Sequence, residues 1–107
     1  MKLMTKAIRD EFKKTGRQEG DDAKVIAKFF TPWSNWTWYA TEFNEEDNRF
    51  FGLVAGDYPE LGSFSLDEFE QINGQHGLII ERDMYWSQTT LGEVRSMVEK
   101  EYSHGWE

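Results

Sequence analysis

The chain has 107 residues, no cysteine, 16% aromatic side chains and a formal net charge of −8. That length bounds it to one domain, residues 1–107, with a modest core. The missing thiols exclude a disulfide framework and cysteine-based zinc or thiolate chemistry, and they suit a reducing cytoplasm.

Thr5 is placed to cap a first helix over 6–14, with Ile8 and Phe12 on one face. Thr15-Gly16 ends it, and a polar loop closes an N-terminal segment of helix and loop over 1–22. From Ala23 the period changes to two, predicting a half-buried strand through Phe29 that Pro32 stops for want of an amide hydrogen. A second strand follows over 36–43, with Trp36, Trp38 and Ala40 on one face and Thr37, Tyr39, Thr41 and Phe43 on the other. Asn44-Glu45-Glu46-Asp47-Asn48 reads as a hairpin turn. Arg49 to Ala55 is apolar on both faces, the pattern of a central strand. After the turn Gly56-Asp57-Tyr58-Pro59 comes a short strand over 61–64.

Ser65-Leu66-Asp67-Glu68 is a capping box flanked by Phe64 and Phe69 at the staple positions, opening a helix that Gly74 ends. Leu78-Ile79-Ile80 starts a fifth strand running through Asp83. Thr90-Leu91-Gly92-Glu93 is a second capping box before a last helix with Leu91, Val94, Val98 and Tyr102 on one stripe. Residues 103–107 read as a frayed tail. The sum is an α+β domain: an antiparallel sheet of about five strands with three helices, mainly on one face.

Residues 1–28 sum to a charge of +3 and residues 29–107 to −11. So acidic a surface repels phosphates and favours basic partner surfaces, though solubility alone also accounts for it. No apolar leader follows Met1, and no stretch reaches the roughly 18 apolar residues of a membrane span. The expectation is a cytoplasmic protein without membrane contact.

Six aromatic residues fall among positions 29–39. Phe29, Trp38 and Tyr39 read as sheet core, because exposed rings are costly. Trp33 and Trp36 flank the turn and are the plausible contact residues. Among the carboxylates, Glu45, Glu46 and Asp47 sit at a hairpin tip, and Asp57 and Glu60 at a second turn. Glu81 and Asp83 would join Asp57 and Glu60 only if the sheet brought them to one end. No spacing matches a calcium loop or a metalloprotease pair, so no metal is expected. His76 in a polar loop and His104 in the tail lack a nucleophile in a recognisable context, and no glycine pattern cradles phosphate, so no cofactor and no catalytic residue are expected.

The run Phe29-Phe30-Thr31-Pro32-Trp33-Ser34-Asn35-Trp36-Thr37-Trp38-Tyr39 resembles a family of short bacterial proteins known as a domain of unknown function and carried on plasmids, phages and integrative elements. The likeness continues through Phe50-Phe51-Gly52-Leu53-Val54, Glu60-Leu61-Gly62-Ser63-Phe64-Ser65-Leu66 and Ile80-Glu81-Arg82-Asp83, covering about Leu3 to Val94. Members often carry a bulky aromatic where Ser63 stands here. The resemblance implies a mobile-element accessory protein and brings no catalytic residue.

The leading expectation is therefore a non-catalytic, acidic, protein-binding accessory domain that occupies a basic cleft, as an antagonist of a nucleic-acid-binding host defence protein would. Trp33 would anchor it with Trp36 as a further contact residue, and Glu45, Glu46, Asp47, Asp57 and Glu60 would supply steering and contact. A second reading is single-stranded nucleic-acid binding on a Trp33/Trp36 platform, against which the acidic surroundings argue. A third is a small enzyme using His76 or clustered carboxylates. The sequence leaves the oligomeric state open.

Overall fold

The computed structural model describes residues 2–75 and 79–104. Its order is α1 (Lys6–Thr15), β1 (Lys24–Val25), β2 (Ala27–Phe30), β3 (Thr37–Asn44), β4 (Arg49–Ala55), β5 (Pro59–Ser65), α2 (Leu66–Asn73), β6 (Glu81–Arg82), β7 (Thr89–Thr90) and α3 (Leu91–His104). Five strands form an antiparallel sheet in the order β5-β4-β3-β2-β6, and β1 and β7 pair as a separate ribbon. The α+β domain is as the sequence predicts. Two helices, α1 and α2, pack on one face of the sheet through Phe12, Leu66 and Phe69, and α3 covers part of the other through Leu91, Val94 and Val98.

Local chemistry marks each helix start. The Thr5 hydroxyl accepts from the Ile8 amide at 3.2 Å, and Gly16 at φ 68° ends α1. The Ser65 hydroxyl accepts from Glu68 N–H at 3.1 Å, and that of Thr90 from Glu93 N–H at 3.3 Å. The Glu93 carboxylate takes its bond from the Thr89 hydroxyl at 2.7 Å, one residue earlier than a capping box would place it. Each such cap is worth about 1 kcal/mol.

The core on the α1/α2 side is built of phenylalanines. The rings of Phe29 and Phe50 lie 5.1 Å apart, Phe29 and Phe69 5.6 Å, and Phe50 and Phe64 5.3 Å, distances at which tilted and offset pairs attract. Trp38 meets Phe69 edge-on at 4.8 Å. Phe29, Trp38 and Tyr39 are buried as the period-two pattern requires.

Four local features depart from the sequence reading. The register of β3 against β4 slips between Ala40 and Glu42, so Thr41 is an extra residue and Phe43 stands opposite Phe50. The bulge turns Phe43 onto the same face as Trp38 and Ala40 rather than the opposite one, where it joins the phenylalanine core. The first strand is likewise split at Ile26: Val25 belongs to the α3-side core and Ala27 and Phe29 to the other. Gln18 holds both irregularities. Its amide nitrogen donates to the carbonyls of Lys24 (3.0 Å) and Thr41 (2.9 Å), and its oxygen accepts from Lys24 N–H (2.7 Å).

The fifth predicted strand is the third departure. Regular pairing is confined to Glu81–Arg82 against Phe30 and Phe29, and Leu78 lies outside the described residues. Ile80 is instead held by the side chain of Asn73, which accepts from its amide at 2.7 Å and donates to its carbonyl at 2.9 Å. An Asn side chain here stands in for a neighbouring strand. The short strand expected over 61–64 is longer, starting at Pro59 and ending at Ser65.

Candidate functional site

The seven residues singled out from sequence fall at two ends of the sheet. Trp33 and Trp36 precede β3, and Glu45, Glu46 and Asp47 follow it, so the length of β3, roughly 25 Å, separates the groups. Asp57 and Glu60 lie at the Trp36 end, since Thr37, Ala55 and Pro59 are in register.

At that end a polar cleft of about 840 Å³ is lined by Lys28, Trp36, Asp57, Glu101 and Tyr102. Trp36 lies tilted on Trp38 at 5.9 Å, and its outer ring rests over Gly56 with no room for a Cβ between. Trp33, half exposed, is tied down by its Nε1–H, which donates to the Ile79 carbonyl at 3.0 Å. Among the described residues Trp33 and Trp36 share no ring contact, so they do not form a single stacking platform. The Tyr102 hydroxyl donates to the Gly56 carbonyl, and burial, then Asp57 and Glu101, raise its pKa. Lys28, the cleft's cation, is spent on Asp83 at 3.8 Å and on the faces of Tyr39 and Trp86.

At the other end a larger groove, about 1030 Å³, opens between the β3–β4 hairpin, loop 16–20 and the first turns of α3. Because α3 covers only part of its face of the sheet, Phe51 and Leu61 are left 41% and 44% exposed. They are diagonal neighbours there, since Phe51 faces Ser63 and Leu53 faces Leu61 across the β4–β5 pair. Ser63 lies beside them on the groove wall, its hydroxyl accepting from Arg49 at 3.1 Å. The position where the resemblance expects a bulky aromatic is thus in the groove, and a serine there leaves the Phe51 ring uncovered.

The groove's charges are unevenly satisfied. Lys13 lies 3.7 Å from Glu45, Arg17 3.7 Å from Glu19, and Arg95 3.4 Å from Asp21. Glu45 also accepts from Arg9 at 2.9 Å, so it ties the hairpin tip to α1. Glu42, Glu46 and Asp47 have no cationic partner among the described residues. The Glu46 amide donates to the Asn44 side chain, and Asn48 adopts φ 52°, which fixes this turn with its carboxylates outward.

Sequence reasoning found the acidic tip but missed Glu42, Phe51 and Leu61. Phe51 read as core because β4 is apolar on both faces, and the short reach of α3 with the small Ser63 opposite exposes it. Glu81 and Asp83 lie on the opposite sheet edge from Glu60, about 19 Å away by strand spacing, so these carboxylates do not converge. Among the described residues no three His, Asp or Glu groups cluster to hold a metal, and no helix is long and apolar enough to cross a membrane. His76 lies outside the described residues.

Residues 2–99 match a family described as "Protein of unknown function (DUF2958)". No curated protein and no solved structure matches the chain.

Proposed function

We propose that this chain, which belongs to the DUF2958 family of proteins of unknown function, is a non-catalytic accessory protein that binds a protein partner through the groove at its hairpin end. The observation that carries the reading is the exposed Phe51–Leu61 pair beside the carboxylates of Glu42, Glu46 and Asp47, which have no cationic partner among the described residues. An apolar anchor next to carboxylates without cationic partners is the anatomy of a binding hot spot with electrostatic steering. The complementary surface is basic with an apolar projection.

The finer reading is that the partner is a host or element nucleic-acid-binding protein, and that the acidic rim occupies its basic cleft. The net charge of −8 and the resemblance to proteins carried by mobile elements support it. Glu45 then serves mainly to hold the tip against Arg9 and Lys13, while Trp33 and Trp36, at the far end, fall outside this contact.

Retention from a bacterial lysate tests the reading by comparing the natural chain with the pair Glu46→Lys/Asp47→Lys and with Phe51→Ser. A partner retained at low salt and lost with either variant supports it. Equal retention by all three proteins overturns it.

A further inference from the structure

The outer edge of β5 is open. β5 pairs with β4 on one side, and no described residue pairs with the other. Which backbone groups point outward follows from three bonds. Ile26 N–H donates to the Ala40 carbonyl, directing Ala40 toward β2. The Thr41 hydroxyl donates to the Phe51 carbonyl, directing Phe51 toward β3. Leu66 N–H donates to the Asn48 carbonyl, directing Asn48 toward the β5 side. Along an antiparallel strand these directions alternate, so Phe50, Gly52 and Val54 bond Phe64, Gly62 and Glu60. Leu61 and Ser63 therefore aim their N–H and C=O groups away from the sheet. Pro59, which has no N–H, occupies an outward position too, where no ladder bond is lost.

The surroundings of this edge are mainly acidic, the cation beside it being Arg49, which donates to the Ser63 hydroxyl. Residues 50–81 contain six Asp or Glu and no Lys or Arg. Glu60 is on the strand, Asp57 precedes it, and Asp67 and Glu68 follow it. On the α3 face the edge exposes Leu61, with Phe51 one strand in and Ser63 bonded to Arg49 beside them.

We infer that the β5 edge accepts an extended basic segment of the partner as a sixth strand, in which apolar side chains over Leu61 and Phe51 alternate with Lys or Arg facing Glu60. This rests on the protein-binding reading above and specifies its mode. Main-chain bonds to Leu61 and Ser63 set the register, and the alternate side chains supply preference. A second copy of this chain is a poorer occupant, since it brings a net −8 surface against itself.

The test uses a heptapeptide of alternating lysine and valine, blocked at both ends, with residue-resolved amide exchange of the folded protein. The Leu61 and Ser63 amides should slow by about tenfold at saturating peptide, while those of Glu60 and Gly62 are already protected without it. Ser63→Pro removes one outward donor and should abolish the protection. Should that variant fail to fold, Leu61→Lys, at an exposed position, should do the same by charge repulsion. Peptide binding with protection elsewhere overturns the strand mode and leaves the protein-binding reading standing. No binding, or protection that rises with protein concentration in the absence of peptide, overturns the basic-strand occupant. Loss of partner retention in Phe51→Ser is read separately, so the two failures are distinguishable.

Discussion

The carbonyl of Tyr39 passes so close to Gly52 that a Cβ at position 52 would fall far inside contact distance of its oxygen and carbon. The approach belongs to the β3–β4 pair beside the Thr41 bulge, where Ala40 stands opposite Gly52. Backbone on both sides leaves nothing to rotate away. Gly52→Ala should cost about 3 kcal/mol in urea unfolding. Gly62, its register partner on β5, has nothing within 4 Å of a built Cβ. Gly62→Ala should change stability by less than about 0.5 kcal/mol.

Gly56 offers an intermediate case, because what a Cβ would meet there is the outer ring of Trp36, 2.5–2.7 Å away. Trp36 is 39% exposed and can swing outward. Gly56→Ala should therefore cost about 1 kcal/mol and red-shift the tryptophan emission. Emission unchanged from the natural chain would show that the indole does not rest there.

Gln18 makes three bonds to backbone groups of Lys24 and Thr41 that the split strand and the bulge leave outside regular ladders. Gln18→Ala should cost about 2 kcal/mol and speed amide exchange at Lys24. Gln18→Glu should be intermediate, since it keeps the acceptor for Lys24 N–H and loses both donated bonds.

Burial, and after it the charges of Glu101, Tyr102 and Asp83, raise the Tyr39 phenol from 10.0 to about 12. A raised folded-state pKa contributes stability that is fully present below pH 10 and is lost as pH climbs toward 12, because the unfolded chain releases its proton first. Tm should fall through that window, and Tyr39→Phe should flatten the fall. Tyr102, shifted in the same direction, leaves a smaller residual slope. An identical alkaline profile in the two proteins would remove Tyr39 from the account.

At the groove, Phe51→Ser should weaken partner retention without lowering Tm by more than about 1 kcal/mol equivalent, because the ring is 41% exposed. Glu45→Ala should act differently. It releases the hairpin tip from Arg9 and Lys13, with a stability change within about 1 kcal/mol, and changes retention less than Glu46→Lys/Asp47→Lys.

Much of the fold is legible in the sequence because its signals are local. Caps at Thr5, Ser65 and Thr90 bind amides three residues on, so four consecutive letters suffice to place a helix start. The double-faced apolar run at Arg49–Ala55 marks a central strand to the residue. Phe43 escapes the same reading, because a bulge at Thr41 inverts alternation and leaves no mark in the alternation itself. The Asn73–Ile80 bridge escapes as well, since a side chain imitating a strand has no period.

The sequence by itself determined an acidic α+β domain, its helix starts, its central strand and the buried set Phe29, Trp38 and Tyr39. These rest on contacts within a few residues and on composition. Tertiary structure alone decided that Asp57 and Glu60 come to the Trp36 end of the sheet, that α3 stops short of Phe51 and Leu61, and that β5 ends the sheet with Leu61 and Ser63 turned outward. Those depend on pairing between strands distant in the chain, where one extra residue or one short helix changes which side chain meets water.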